Sequence, residues 1–188
     1  RNLYLLQCRP QASTAGNVSS PIPKDIAPDR VIFTDANGQV VSGDRILGLC
    51  AIGLKEQGKL RHDTLVATVM SNLGLDIMAA EKGIRLIKTK VGDRYVLETM
   101  QREGLNVGGE QSGHVILLDH STTGDGILTA LALLRVVVRR KTALSKITDV
   151  ISILPQVLKP ARIPEERKQM AMTDEAVSAA IVRYEQTL

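Results

Sequence analysis

The feature that most constrains how this chain of 188 residues can fold is a regular alternation of strand-like and helix-like segments between residues 31 and 140. Short β-branched and aromatic runs predict strands, whereas apolar residues three and four positions apart predict helices. Such alternation favours an α/β fold, in which a mostly parallel or mixed sheet is layered with helices. At roughly 150 residues per domain, the chain has room for one such domain and part of a second.

The predicted elements follow one another without a long gap. Strands are predicted at 31–33 and 40–41, which form a hairpin around Asn37-Gly38, and at 64–70, 85–89, 105–109 and 115–118. Helices are predicted at 43–57, 71–82, 93–103, 127–140, 144–154 and 174–186.

Two helix details can also be predicted from the sequence. Ser71 is expected to cap the second helix, and Thr122 or Thr123 the fourth, because hydroxyl side chains accept hydrogen bonds from free N–H groups at helix starts. The buried stripe of the fourth helix is expected to consist of four residues at helical spacing: Leu128, Leu131, Leu134 and Val138.

The chain divides into three parts by composition. Residues 1–24 include a stretch rich in Ser, Pro, Gly, Ala and Thr without periodicity, which predicts a disordered lead. Residues 25–154 hold the alternating segments. Residues 155–188, after the break at Pro155, lack the strands needed to bury their helix, and we expect them to be the truncated start of a further, incomplete α+β unit.

Composition excludes several classes of protein. Two cysteines, Cys8 and Cys50, form neither a disulfide framework nor a zinc motif, which favours a reducing compartment and therefore the cytoplasm. The net charge is +4, but one Phe and no Trp leave almost no platform for stacking bases, so nucleic-acid binding is not expected. The longest apolar run is too short to span a membrane.

The most informative segment is Gly109-Glu110-Gln111-Ser112-Gly113-His114. Its glycines permit a tight turn close to a ligand. Carboxylate and hydroxyl side chains are suited to binding vicinal sugar hydroxyls, and an imidazole can contact a phosphate or transfer a proton. A purely structural polar turn with a capped histidine explains these residues equally well.

Three further segments carry weaker signals. Lys90 ends a strand and could contact a phosphate, whereas Asp93 is expected to cap the following helix. The segment 122–126 opens a long helix, where capping is favoured over anion binding because Asp125 would repel an anion. Asp25 and Asp29 could share a divalent cation, although a solvated loop explains them as well.

Taken together, these segments resemble the α-D-phosphohexomutase family and, within it, the bacterial phosphoglucosamine mutases. The resemblance runs in order from about residue 29 to 160, and the matching segments are Arg30-Val31-Ile32 with Asp35 and Gly38, Gly43-Asp44, Met70 to Gly74, Lys90 to Val96, Gly109 to His114, and Thr122 to Gly126. Gln111 resembles the glucosamine type of sugar loop, whereas mannose- and glucose-type mutases typically have Met there.

The resemblance implies a fold and a reaction. Residues 25–154 would be the third, sugar-binding domain, and 155–188 would begin the C-terminal phosphate-binding domain. The family's reaction would interconvert glucosamine 6-phosphate and glucosamine 1-phosphate, a cell-wall (peptidoglycan) precursor, through a phosphoserine enzyme and a bisphosphorylated sugar. Magnesium and basic groups would stabilise charge on the moving phosphoryl group.

The resemblance also implies roles for individual residues. Glu110, Gln111 and Ser112 would bind the sugar. Lys90 and His114 would contact the phosphosugar and assist proton transfer. Arg30 would lie near the phosphoserine, and Asp25 and Asp29 would be the outer two ligands of magnesium.

The sequence departs from the family pattern in three places. Ala27 stands at the middle metal position, and the 188 residues contain neither a Ser-His-Asn-Pro loop nor an Arg-x-Ser-Gly-Thr phosphate clamp. We therefore expect the chain to be inactive alone and to need the missing domains of the same enzyme as partners, with no nucleic acid and no membrane. A fragment of a phosphomannomutase or phosphoglucomutase, or a non-catalytic sugar-phosphate binding module, is the alternative.

Overall fold

A computed structural model describes residues 5–7, 29–157, 162 and 164–185 of the chain. Within them, the chain forms two compact units, Arg1–Leu154 and Pro155–Leu188. None of the described helices is long and apolar enough to cross a membrane.

The centre of the first unit is a mixed four-stranded sheet, which confirms the predicted fold class. Its strands are β4 (Thr64–Thr68), β5 (Arg85–Thr89), β6 (Val107–Gly109) and β7 (Val115–Leu117). They lie in the order β5-β4-β6-β7. β4 runs parallel to β5 and β6, and β7 runs antiparallel to β6. The antiparallel pair brings the β6–β7 loop to one end of the sheet.

Helices cover both faces of this sheet, as the side chains of β4 show. Leu65 and Ala67 join the larger hydrophobic core, whereas Val66 between them joins a smaller one on the opposite face. Helices α1 (Gly43–Lys55), α2 (Leu73–Glu81) and α4 (Gly126–Arg140) contribute to the larger core. Helix α3 (Asp93–Arg102) contributes Val96 and Met100 to the smaller one. The alternation of side chains along a strand thus produces a three-layered α/β/α unit.

A second, three-stranded sheet precedes α1. The predicted hairpin forms from β2 (Ile32–Thr34) and β3 (Val40–Val41), which pair antiparallel around a turn in which Gly38 has φ +78°. Glycine adopts this left-handed conformation without strain. The strand β1 (Leu5–Gln7) pairs antiparallel with β2. This strand falls within the expected disordered lead, and the rest of residues 1–24 lies outside the described residues.

The caps of two helices differ from the prediction. Asn72, not Ser71, caps α2, since its side-chain oxygen accepts a hydrogen bond from Gly74 N at 3.0 Å. Asp125, not Thr122 or Thr123, caps α4, since its Oδ1 accepts from Leu128 N at 2.9 Å. In both regions several residues suited to capping are adjacent, and the sequence does not indicate which one has the extended backbone of a cap.

The buried face of α4 also differs from the prediction. Leu131 is 61% exposed and Val138 is 72% exposed, whereas Leu133 is fully buried. Leu128 and Leu134 are half-buried. The helix is apolar on nearly all sides, so that more than one stripe at helical spacing can be drawn on it. Contact with α1 selects the stripe that includes Ala130 and Leu133.

The end of the first unit is less helical than predicted. The helix expected at 144–154 is only α5 (Leu144–Ile147), followed by a 3₁₀ turn at Thr148–Val150. Residues 151–154 are then held in a non-helical path by the side chains of Arg45 in α1 and of Asn72, the cap of α2. Arg45 Nε donates to Ile151 O at 3.1 Å, and Asn72 both donates to Leu154 O at 2.8 Å and accepts from Leu154 N at 2.9 Å.

In the second unit, the described residues include two helices. The sequence did not predict α6 (Glu165–Met172), whose weak apolar periodicity gives no helical signal. Helix α7 (Glu175–Glu185) confirms the last predicted helix. Asp174 stabilises its start by accepting from Ala176 N and Val177 N.

Two matched substitutions in α4 distinguish the observed buried face from the predicted one. Leu133→Ala should lower the free energy of unfolding by about 2–5 kcal/mol because it leaves a cavity in the core. Leu131→Ala should change it by about 0.5 kcal/mol or less because that side chain is mostly exposed. Chemical denaturation of the full chain measures both, and equal losses or a larger loss for Leu131→Ala would contradict the packing described.

Candidate functional site

The loop between β6 and β7, residues 110–114, lies against the start of α1. A Cβ atom on Gly43 would lie 2.3 Å from Gln111 O and 2.4 Å from Gly113 N, and one on Gly113, where φ is +89°, would lie 2.3 Å from Val31 O. Only glycine permits backbones to approach so closely. The loop is closed by hydrogen bonds from Glu110 N to His114 O at 2.8 Å and from Gly113 N to Glu110 O at 3.1 Å.

The segment before β2 is attached to the same loop. Arg30 pairs with His114 in an isolated antiparallel bridge, and Val31 N donates to Gly113 O at 3.1 Å. Two parts of the chain about 80 residues apart are thereby fixed next to each other. Because backbone hydrogen bonds and close packing hold the loop, its side chains have defined positions.

Glu110 is the most tightly held of these side chains. It is 9% exposed, and its Oε1 accepts from Gly92 N at 3.2 Å. Its Oε2 accepts from Ser112 Oγ at 3.2 Å and lies 3.5 Å from Arg30 Nη1. Arg30 Nη1 also donates to Ser112 Oγ. The predicted residues Arg30, Glu110 and Ser112 therefore form one cluster of a cation, an anion and a hydroxyl.

His114 is buried, with 2% of its surface exposed, and its ring lies between two carboxylates. Nδ1 is 3.4 Å from Oδ2 of Asp29, and Nε2 is 3.9 Å from Oδ2 of Asp93. Neither nitrogen has a hydrogen-bond partner among the described residues. A Cβ on Gly124 would lie 2.4 Å from the ring, so this glycine leaves space for the imidazole. The segment 122–126 thus caps α4 and supports His114.

The other two predicted sugar-site residues are exposed. Lys90 lies directly after β5, and Gln111 lies at the tip of the loop. Gly92, between Lys90 and α3, contributes its N–H to Glu110. The end of β5 and the β6–β7 loop therefore meet on one side of the sheet, as expected for residues that follow the carboxyl ends of parallel strands.

The described residues do not form a magnesium site. Asp25 lies outside them. Oδ2 of Asp29 lies 3.6 Å from Arg30 Nε and 3.4 Å from His114 Nδ1, so this carboxylate already forms an ion pair with a cation. No group of three or more His, Cys, Asp or Glu side chains suited to a metal ion occurs in the part of the chain that the structure describes. Magnesium prefers several oxygen ligands around it, so these residues do not fit the ion.

Sequence reasoning missed the role of two aspartates near the site. Asp93 was expected to cap α3, but Gly92 occupies the cap position and Asp93 faces His114 instead. Asp44, which follows Gly43, is buried, and its Oδ2 accepts from Asn72 N at 2.8 Å. No local signal identifies either contact, because each partner lies about 20 or more residues away in the chain.

We predict that Gly43→Ala displaces the loop. The added methyl group would overlap backbone atoms of Gln111 and Gly113, which cannot move independently of the loop. Gly48→Ala in the same helix is the control, because its methyl would meet the ends of the Ile151, Met78 and Leu75 side chains and no backbone atom of the loop. Amide chemical shifts of residues 110–114 should change strongly in Gly43→Ala and little in Gly48→Ala; unchanged shifts in both variants would show that the loop does not depend on Gly43.

Asp44 gives a prediction for the pH dependence of stability. Burial raises the pKa of its carboxyl above the ordinary value of 3.8, and this effect exceeds the opposing effect of the hydrogen bond from Asn72 N. A raised pKa in the folded state means that stability falls as the pH rises from 3.8 through the folded pKa. Asp44→Asn removes this contribution, so the free energy of unfolding of the unmodified chain minus that of the variant should decrease over this pH range. A difference that increases with pH would contradict the burial effect.

Comparison with known proteins shows the family and the fold of this chain. Residues 42–153 match the family described as phosphoglucomutase/phosphomannomutase, alpha/beta/alpha domain III. The phosphoglucosamine mutase of Acetivibrio thermocellus is 54% identical over 149 residues, which are 79% of this chain and 33% of that protein. That of Geotalea uraniireducens is 55% identical over 148 residues, again 79% and 33%. The chain spans about one third of the length of these relatives.

Solved structures give the same fold. A phosphoglucomutase/phosphomannomutase family protein from Burkholderia thailandensis superposes with a TM-score of 0.59 at 25% identity, covering 70% of this chain and 28% of that one. The N-acetylphosphoglucosamine mutase of Aspergillus fumigatus in complex with GlcNAc-6P and magnesium has a TM-score of 0.56 at 14% identity, covering 68% and 34%. This second likeness concerns the fold alone. The chain belongs to the phosphoglucomutase/phosphomannomutase family of α-D-phosphohexomutases, and residues 42–153 form its alpha/beta/alpha domain III.

Proposed function

We propose that this chain is part of a phosphoglucosamine mutase and binds the sugar ring of its substrate at the β6–β7 loop. The observation that carries the proposal is the carboxylate of Glu110, nearly buried and fixed beside the hydroxyl of Ser112 on a rigid loop. Relatives named phosphoglucosamine mutase at above 50% identity support the choice of sugar phosphate. The reaction would interconvert glucosamine 6-phosphate and glucosamine 1-phosphate.

Glu110 and Ser112 would recognise two neighbouring hydroxyl groups of the sugar. An ionised carboxylate accepts up to four hydrogen bonds, whereas a serine hydroxyl both donates and accepts. Gly92 N–H holds one carboxylate oxygen of Glu110 in place. The other oxygen would then accept a hydrogen bond from the sugar while the carboxylate keeps its position. Gln111, exposed beside them, would contact the substituent that distinguishes glucosamine from mannose or glucose.

Arg30, Lys90 and His114 would act on the charged parts of the substrate. Lys90 is exposed at the end of β5, where a flexible ammonium group can reach a phosphate. Arg30 would help to balance the charge of the moving phosphoryl group. In the structure, its Nη1 donates hydrogen bonds to both Glu110 and Ser112. His114 would assist proton transfer, with Asp29 and Asp93 orienting its ring.

The 188-residue polypeptide would bind substrate but not convert it. The family's chemistry uses a phosphoserine loop, and the sequence contains no Ser-His-Asn-Pro segment to supply it. No catalytic step is assigned to magnesium, because the described residues do not fit the ion. The first alternative differs in the sugar, because a phosphomannomutase or phosphoglucomutase fragment would prefer mannose or glucose phosphates. The second differs in the reaction, because a binding module would take part in no turnover.

A chimeric enzyme tests the proposal. The 149 residues of the Acetivibrio thermocellus enzyme that match this chain are replaced by those of this chain, and cooperative thermal unfolding verifies that the chimera folds. We expect mutase activity on glucosamine 6-phosphate, and kcat/KM lowered about 10- to 100-fold by Glu110→Gln, because a hydrogen bond to a charged group is lost. Glu103→Gln, an exposed change at the end of α3, is the matched control and should have no effect.

Each other outcome has a definite meaning. A folded chimera that prefers mannose or glucose phosphates would replace the proposal by its first alternative. A folded chimera without activity on any of these sugars would favour the binding module. Conversion of glucosamine 6-phosphate by the purified 188-residue chain alone would disprove the expectation that it is inactive by itself.

A further inference from the structure

A pocket of about 200 Å³ lies between α1, α4 and the end of β7. Its lining residues come from all three elements and include the apolar side chains of Leu54, Leu117 and Leu128. The volume is below the range of about 300–1,000 Å³ typical of drug-sized ligands. The pocket is therefore suited to a small molecule and too small for a protein helix.

This pocket is separate from the sugar loop. β7 begins directly after the loop, at Val115, and ends at Leu117 in the wall of the pocket. Asn106, which also lines the pocket, lies just before β6, whereas the loop follows that strand. The pocket and the loop thus lie at opposite ends of the β6–β7 pair, and no residue of 109–114 lines the pocket.

Among the polar residues that line the pocket, the carboxylate is already paired, whereas one cation and one imidazole have no side-chain partner in the part of the chain that the structure describes. Asp119, the carboxylate among the lining residues, forms an ion pair with Arg61 and accepts from Asn106 Nδ2 at 2.7 Å. Arg135 and His120 are exposed lining residues with no ion pair or side-chain hydrogen bond among the described residues. A guanidinium always carries a positive charge, and an imidazole has an N–H donor in either protonation state. The field at the pocket therefore favours an anion.

We propose that this pocket binds a small carboxylate with an apolar tail. The tail would displace water from the leucine-lined interior, which is favourable in proportion to the apolar area buried. The carboxylate would accept hydrogen bonds from Arg135, which matches its planar geometry with two parallel donors, and from His120. The inference does not rest on the proposed sugar phosphate function, because it uses none of the residues of that site.

Titration of the full chain with hexanoate tests this inference, with hexylammonium as a probe of the same tail and opposite charge. We expect saturable amide shift changes for Leu54, Leu117 and Arg135 with hexanoate, with a dissociation constant in the millimolar range, and none that saturate with hexylammonium. Arg135→Gln should weaken hexanoate binding about ten-fold or more, since a charged hydrogen bond is lost. Arg139→Gln, one turn further along α4 and outside the pocket, should leave it unchanged.

Several results would overturn the inference. These are hexanoate shifts that do not saturate, equal binding of hexylammonium, or equal effects of Arg135→Gln and Arg139→Gln. Ala132→Met provides a second variant, because Ala132 lines the pocket and a longer side chain would fill it; undiminished hexanoate binding by this variant, with unchanged thermal unfolding, would also overturn it.

Discussion

The close approach of three backbone segments at Gly43 and Gly113 is the constraint on which the candidate site depends. At this point the start of α1, the segment before β2 and the β6–β7 loop come within van der Waals distance, with no room for a Cβ. The hydrogen bond from Val31 N to Gly113 O then fixes the small sheet to the large one. Because the loop is anchored by backbone atoms, its side chains are free to bind a ligand and do not have to hold the loop in place.

Charge balance is the second constraint. Two carboxylates, on Asp29 and Asp93, face the buried ring of His114, and a third, on Glu110, faces Arg30. A buried carboxylate is costly unless donors surround it, and Glu110 meets this requirement with Gly92, Ser112 and Arg30. In the proposed complex, a sugar hydroxyl would replace Arg30 as a hydrogen-bond donor, so that the carboxylate would keep a donor at Oε2. The geometry is therefore consistent with exchange of an internal partner for a ligand.

The sequence predicted the fold well where the signal is local. Strand and helix periods identified the order of elements from β2 to α4, and the hairpin at Asn37-Gly38 follows from its turn residues. Prediction was wrong where neighbouring residues are chemically alike: Asn72 and not Ser71 caps α2, and Leu133 and not Leu131 is buried in α4. In these cases contacts with distant segments decide, and a single sequence does not contain them. The resemblance to the family predicted Glu110, Ser112 and Arg30 as candidate site residues, whereas their mutual contacts, and the place of Asp93 beside His114, became visible only in the fold.

A crystal structure of the full chain with bound glucosamine 1-phosphate tests most directly whether the cluster of Arg30, Glu110 and Ser112 recognises the sugar. We expect two sugar hydroxyls to contact Glu110 Oε2 and Ser112 Oγ, Arg30 to leave this pair, and Gly92 N to stay on Glu110 Oε1. A sugar bound elsewhere, or bound at the loop with the Arg30–Glu110–Ser112 contacts unchanged, would contradict the claim that this cluster recognises the sugar.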